Sequence, residues 1–131
     1  MIKVTILMQP VAKARPRTVQ HGGKTMTYTP AKSAHAENLI RDKVMELEMY
    51  YPKPAALMLE ATFYRAEPKK LPKGVTKPIT RPDWDNYAKG LTDALNGFAF
   101  EDDSQITTAV IKKRFGYPPR IELTIIEDEN T

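Results

Sequence analysis

Ile2, Val4, Ile6 and Met8 alternate with Lys3, Thr5 and Leu7, the two-residue period of a strand with one buried face. Positions 9–28 hold Pro10, Pro16, Gly22 and Gly23 without any period, which predicts a long basic loop. Thr29-Pro30 supplies a cap and a first-turn proline for a helix. Ala36, Leu39, Ile40, Val44 and Leu47 continue it as one apolar stripe that ends before Pro52. Leu57, Leu59, Ala61 and Phe63 alternate as a second strand, and Pro68, Pro72, Pro78 and Pro82 punctuate another basic loop over 66–82. Trp84, Tyr87, Ala88, Leu91, Ala94 and Leu95 recur at helical spacing, predicting a helix over 84–95 with Trp84 in the core. Asn96-Gly97 is its stop. Residues 105–115 and 120–126 read as a hairpin turning at 116–119, with Ile121, Leu123 and Ile125 buried. A polar tail covers 127–131. The order β-α-β-α-β-β predicts an α/β (α+β) fold, a mixed sheet of about four strands with two main helices packed on it.

Composition narrows the chemistry. At 131 residues the chain is one domain, 1–131. The absence of cysteine excludes disulfide scaffolds, thiolate zinc sites and cysteine nucleophiles, and makes a reducing cytoplasm the expected setting. Two histidines (His21, His35) and two serines (Ser33, Ser104) argue against a Ser-His-Asp triad or a histidine-rich metal site. The longest apolar runs, such as Ala55–Leu59, are far short of a membrane span, and Lys3 and Thr5 interrupt any signal-peptide core, so no membrane partner is expected.

The net charge of +4 conceals blocks. Residues 1–36 carry Lys3, Lys13, Arg15, Arg17, Lys24 and Lys32 and no acid. Residues 65–81 carry Arg65, Lys69, Lys70, Lys73, Lys77 and Arg81 against Glu67 alone. Between 82 and 104 the sign reverses: Asp83, Asp85, Asp93, Glu101, Asp102 and Asp103 face only Lys89. Lys112, Lys113, Arg114 and Arg120 then restore a basic stretch. Lysines that hold phosphates around carboxylates that hold a metal would give this pattern; so would a solvated surface with clustered signs.

The segment Arg81-Pro82-Asp83-Trp84-Asp85-Asn86-Tyr87-Ala88-Lys89 concentrates the chemistry. Pro82 brings the chain into Asp83 in an extended or turn geometry, where residues two apart face one side. Lys89 and Asp93 follow Asp85 at four-residue steps, and Asp102-Asp103 adds two acids before a strand. Several carboxylates converging at close range repel one another unless a cation lies among them, and oxygen-only ligation suits Mg²⁺. A plainer reading makes Asp83 or Asp85 a helix cap and Asp85, Lys89 and Asp93 surface ion pairs. It accounts for each acid singly, but not for six acids within 23 residues of a basic chain.

The run Asp83-x-Asp85-Asn86-x-x-Lys89-x-x-x-Asp93-Ala94-Leu95-Asn96, followed by Asp102-Asp103-x-Gln105-Ile106, resembles the signature of RusA-type Holliday junction resolvases. Pro10-x-x-Lys13-x-Arg15-Pro16-Arg17 is similar to that family's basic loop after the first strand. The resemblance implies a small α/β fold, a homodimer, and Mg²⁺-dependent paired cutting of four-way DNA junctions, with Mn²⁺ as a substitute ion. It assigns Asp83, Asp85 and Asp103 as essential acids and metal ligands and Lys89 as the catalytic lysine. Asp102 is a further candidate ligand, and Asp93 and Asn86 are supporting positions. It also implies a bacterial or prophage origin.

Two symmetric cuts from a small subunit with one acidic cluster independently call for a C2 pair. Lys13, Arg15, Arg17, Lys69, Lys70, Lys73 and Arg81 are the expected phosphate contacts. Two other functions remain open from sequence: a non-catalytic DNA-binding module on the same scaffold, and a metal nuclease for other branched DNA or RNA.

Overall fold

The computed structural model describes residues 1–13, 17–28 and 31–129. Strand β1 (Ile2–Leu7) is followed by β2 (Arg17–His21), β3 (Lys24–Tyr28), helix α1 (Ala31–Met45), β4 (Leu57–Arg65), helix α2 (Trp84–Leu95), a 3-10 turn (Asp103–Gln105), β5 (Ile106–Phe115) and β6 (Arg120–Glu127). Four of these strands form a mixed sheet in the order β1-β6-β4-β5. Its two helices arise where the apolar spacing predicts them. No described helix is long and apolar enough to cross a membrane.

Register builds the core. Ile125 lies between Ile2 and Leu59, Leu123 between Val4 and Ala61, and Ile121 between Ile6 and Phe63. Ile40 and Val44 of α1 and Tyr87, Leu91, Ala94 and Leu95 of α2 close over this inward face. Alternation sends Glu60, Thr62, Glu122 and Thr124 to the other face, where Lys112 Nζ pairs with Glu60 at 2.9 Å. The molecule is thus two layers with one polar sheet face.

Four expectations change. The 9–28 loop contains an antiparallel hairpin, β2 with β3, turning through Gly22 and Gly23 at φ of 58° and 77°. Both glycines adopt the left-handed conformation a tight hairpin needs. The segments 105–115 and 120–126 are strands but not a hairpin: β4 lies between them, parallel to β5 and antiparallel to β6. Stepping over one strand is a distance of about 10 Å, which four residues span easily. Trp84 is not core; it is 59% exposed at the first position of α2. Leu39, counted in the α1 stripe, is also exposed, and Thr29-Pro30 lies outside the described residues.

Candidate active site

Helix α2 begins where Pro82 releases the chain. Asp83 occupies the cap position in an extended conformation (φ −69°, ψ 154°), and its carbonyl accepts from the amides of Asn86 at 3.1 Å and Tyr87 at 3.3 Å. Its carboxylate makes no capping hydrogen bond. Asp85 is already helical, so the same-side argument for an extended stretch stops at Trp84. Its Oδ1 accepts from the Asn86 amide at 3.1 Å. Both carboxylates are exposed at the N-terminal, positive end of the helix dipole. Of the two, the plain capping assignment fails for Asp83, because its side chain is left uncommitted.

Further along the helix, Lys89 Nζ lies 3.3 Å from Asp93 Oδ1 with most of its side chain exposed. Asp93 also meets Lys13 at 3.5 Å, and Lys13 reaches Glu37 at 2.5 Å. Glu37 holds Arg41 in turn at 3.6 Å, and the Arg41 guanidinium donates to the Ala94 carbonyl at 3.0 Å. Lys13, expected to contact DNA, therefore belongs to a tie between the first loop, α1 and α2. Its amide donates to the Asn86 carbonyl at 3.3 Å, a contact made by the backbone of Asn86. The first loop packs closely on Gly90 here, where a Cβ would meet the Lys13 nitrogen at 3.4 Å. Hydrogen bonding from Lys13 to Glu37 holds its ammonium above the ordinary lysine value.

The other two acids behave differently. Asp102 caps the 3-10 turn: its Oδ2 accepts from the Ser104 amide at 3.0 Å, and Gln105 Oε1 accepts from the Asp102 amide at 3.1 Å. Hydrogen bonding from the Ser104 side chain, and next from its amide, pulls the Asp102 carboxyl below its ordinary value. Gln105, part of the sequence motif but given no role there, also donates to the carbonyls of Tyr51 at 3.1 Å and Ala55 at 3.0 Å, pinning the turn beside the start of β4. Asp103 sits on the turn, half-buried.

Among the described residues of the chain the acids do not converge. Tyr87, four residues beyond Asp83, stacks on Phe63 near the end of β4, with ring centroids 4.8 Å apart. Gln105 is fixed at the opposite end, where Ile106 pairs with Leu57. Six residues of strand separate those ends, on the order of 20 Å. Among the described residues, no three His, Asp or Glu side chains gather as a metal-holding group.

Basic residues do collect at the Asp83 end. Arg65 Nη1 donates to the Arg81 carbonyl at 3.0 Å, its Nη2 donates to Thr80 Oγ1, and Lys113 Nζ donates to the Thr80 carbonyl at 2.9 Å. These bonds tie the base of the 66–82 loop to the ends of β4 and β5. Lys69, Lys70, Lys73 and Arg81 are all exposed on that loop. Arg15 and the side chain of Arg17 lie outside the described residues.

Comparison with known proteins places the chain in a family. A family model described as endodeoxyribonuclease RusA matches residues 8–126. The uncharacterized protein YqaN of Bacillus subtilis (strain 168) is 34% identical over 140 residues, covering 96% of each chain. The family match takes in both acidic pairs, Lys89 and every basic position expected to meet phosphate. This chain belongs to the endodeoxyribonuclease RusA family.

Proposed function

We propose that this protein is a Mg²⁺-dependent endodeoxyribonuclease that resolves four-way DNA junctions as a C2 homodimer. Family membership supports the nuclease activity and the branched substrate. The observation that carries the site is the exposed pair Asp83 and Asp85 at the positive end of α2, with the Asp83 carboxylate free of any capping bond, beside a basic loop.

The donor set fits the ion. Mg²⁺ is ordinarily held by one or two carboxylates, with retained waters and substrate phosphate completing its shell. Asp83 and Asp85 are the residues that would hold it. When bound, the ion supplies an activated water and neutralises charge on the phosphodiester. Exposed Lys69, Lys70, Lys73 and Arg81 hold flanking phosphates and set the register of the duplex arms. Lys89, one helical turn beyond Asp85, offers an exposed ammonium to the charge that develops on the cleaved phosphate. Asp103, at the far end of the sheet, can join the first pair only from a second copy of the chain. That makes the dimer a requirement of the site as well as of the paired cut.

One observation favours a second reading, a DNA-binding module without catalysis: no three-acid group exists in a single described protomer. Incubation with a labelled four-way junction and a matched linear duplex, in Mg²⁺ or EDTA, separates the two. The nuclease cuts the junction in Mg²⁺ alone. Junction binding without cleavage in any divalent ion identifies the module, and equal cutting of both substrates removes junction specificity.

A further inference from the structure

Past Arg65 the chain folds back over the ends of β4 and β5, and beneath it opens a recess of about 380 Å³. Leu71, Val75, Pro78, Ile79 and Phe115 give it apolar walls. Its frame is stiff. Pro68, Pro72 and Pro78 each fix a backbone torsion, and the bonds from Arg65 and Lys113 clamp the loop at Thr80 and Arg81. The Arg65 guanidinium lies over the Phe115 ring, 5.9 Å from its centroid. Volume and lining are those of a preformed site for one small, largely apolar group.

The surroundings identify that group. Lys69, Lys70, Lys73 and Arg81 are exposed on the same loop, Lys77 lines the recess, and Glu67 is the only acid in the segment. An apolar slot among cations suits a flat ring carried on a polyanion. Ile79 lines the slot yet is 77% exposed, so a side chain that could touch an incoming ring is not needed by the core. Arg81, whose carbonyl anchors the frame, stands two residues from Asp83.

We propose that this recess receives one unstacked nucleobase of the branched substrate, next to the phosphate presented to Asp83 and Asp85. The proposal rests on the branched-DNA function above and adds a contact that a continuous duplex cannot make. Unstacking is least costly for a base already unpaired, which a junction offers at its exchange point and a linear duplex does not. The recess thereby contributes substrate selection close to the cut, while the lysines contribute affinity without regard to sequence.

The test measures binding in EDTA to a series of four-way junctions, each lacking a single base near the exchange point. For wild type, one position is expected to weaken binding about tenfold, the scale of a base contact with an apolar or aromatic surface. For Ile79→Ala and Leu71→Ala, the same missing base is expected to cost less than twofold, because the partner surface is already reduced. Ile79→Ala removes an exposed side chain, so its fold is preserved even where Leu71→Ala unfolds. If the missing base costs Ile79→Ala as much as it costs wild type, or if no position matters, the recess is not a base site. A wild type that binds no junction overturns the function and the recess together; one that binds and cuts junctions with uniform base dependence overturns the recess alone.

Discussion

Lys13 stands between Glu37, at 2.5 Å, and Asp93, at 3.5 Å, and all three side chains are largely withdrawn from solvent. Removing the ammonium leaves part-buried Glu37 with Arg41 at 3.6 Å and Asp93 with Lys89 at 3.3 Å, and breaks the tie between them. Lys13→Met is therefore expected to lower stability by about 1–2 kcal/mol, read from the urea midpoint. The sign with pH follows from the raised lysine value. Its contribution is complete below the ordinary 10.5 and is lost as pH rises through the higher folded value. The gap between wild type and variant should stay constant from neutral pH to that range and close in stronger base. Charge at Lys13 was legible in the sequence, but its commitment was not. Glu37 lies 24 residues away, and only the packing of α1 against the first loop brings it into reach. Asp102 and Asp103 are ambiguous in sequence for a different reason: they are identical neighbours, and only the local fold shows that Asp102 is the one that caps Ser104.

Elements announce themselves when their signals are local. Helix α2 was readable end to end, because Pro82 precedes it, its apolar stripe is regular, and Gly97 at φ 82° ends it. Strand neighbours were not readable. Alternation marks β5 and β6 as strands but does not reveal that β4 slots between them, since pairing is decided by which apolar faces meet. The hairpin of β2 and β3 escaped because its stretch lacks apolar alternation, although Gly22-Gly23 is itself a turn signal. Trp84 falls at the right helical phase, yet as the first residue of α2 it is left exposed, while Tyr87 one turn on is buried. The link between β5 and β6 carries its own test. A Cβ on Gly116 would stand 2.5 Å from Cδ1 of Tyr64, whose ring lies 3.9 Å from the Arg120 guanidinium carbon. Gly116→Ala must displace that ring and is expected to cost about 1–3 kcal/mol, seen as a lower midpoint of thermal unfolding.

At the scale of the whole molecule, the sequence motif that unites Asp83, Asp85 and Asp103 is divided by the fold between the two ends of β4. Motif spacing counts residues along the chain, and a twelve-residue helix inside the motif carries its halves apart. Two copies related by a two-fold axis can bring one end of each to the other. Co-expressed Asp83→Asn and Asp103→Asn chains should therefore form mixed dimers with one intact site, which nick a junction once, although each variant alone is inactive. A mixture as inactive as its components would place both acids in the same subunit's site.

On the function proposed above, the carboxylates at the start of α2 perform the cut rather than hold the structure. The most direct measurement compares wild type and Asp83→Asn for both binding and Mg²⁺-dependent cleavage of a labelled four-way junction. The Asp83 side chain makes no capping bond, so the variant should fold and bind as wild type does while cleavage falls by several orders of magnitude. Normal cutting by Asp83→Asn would contradict the assignment.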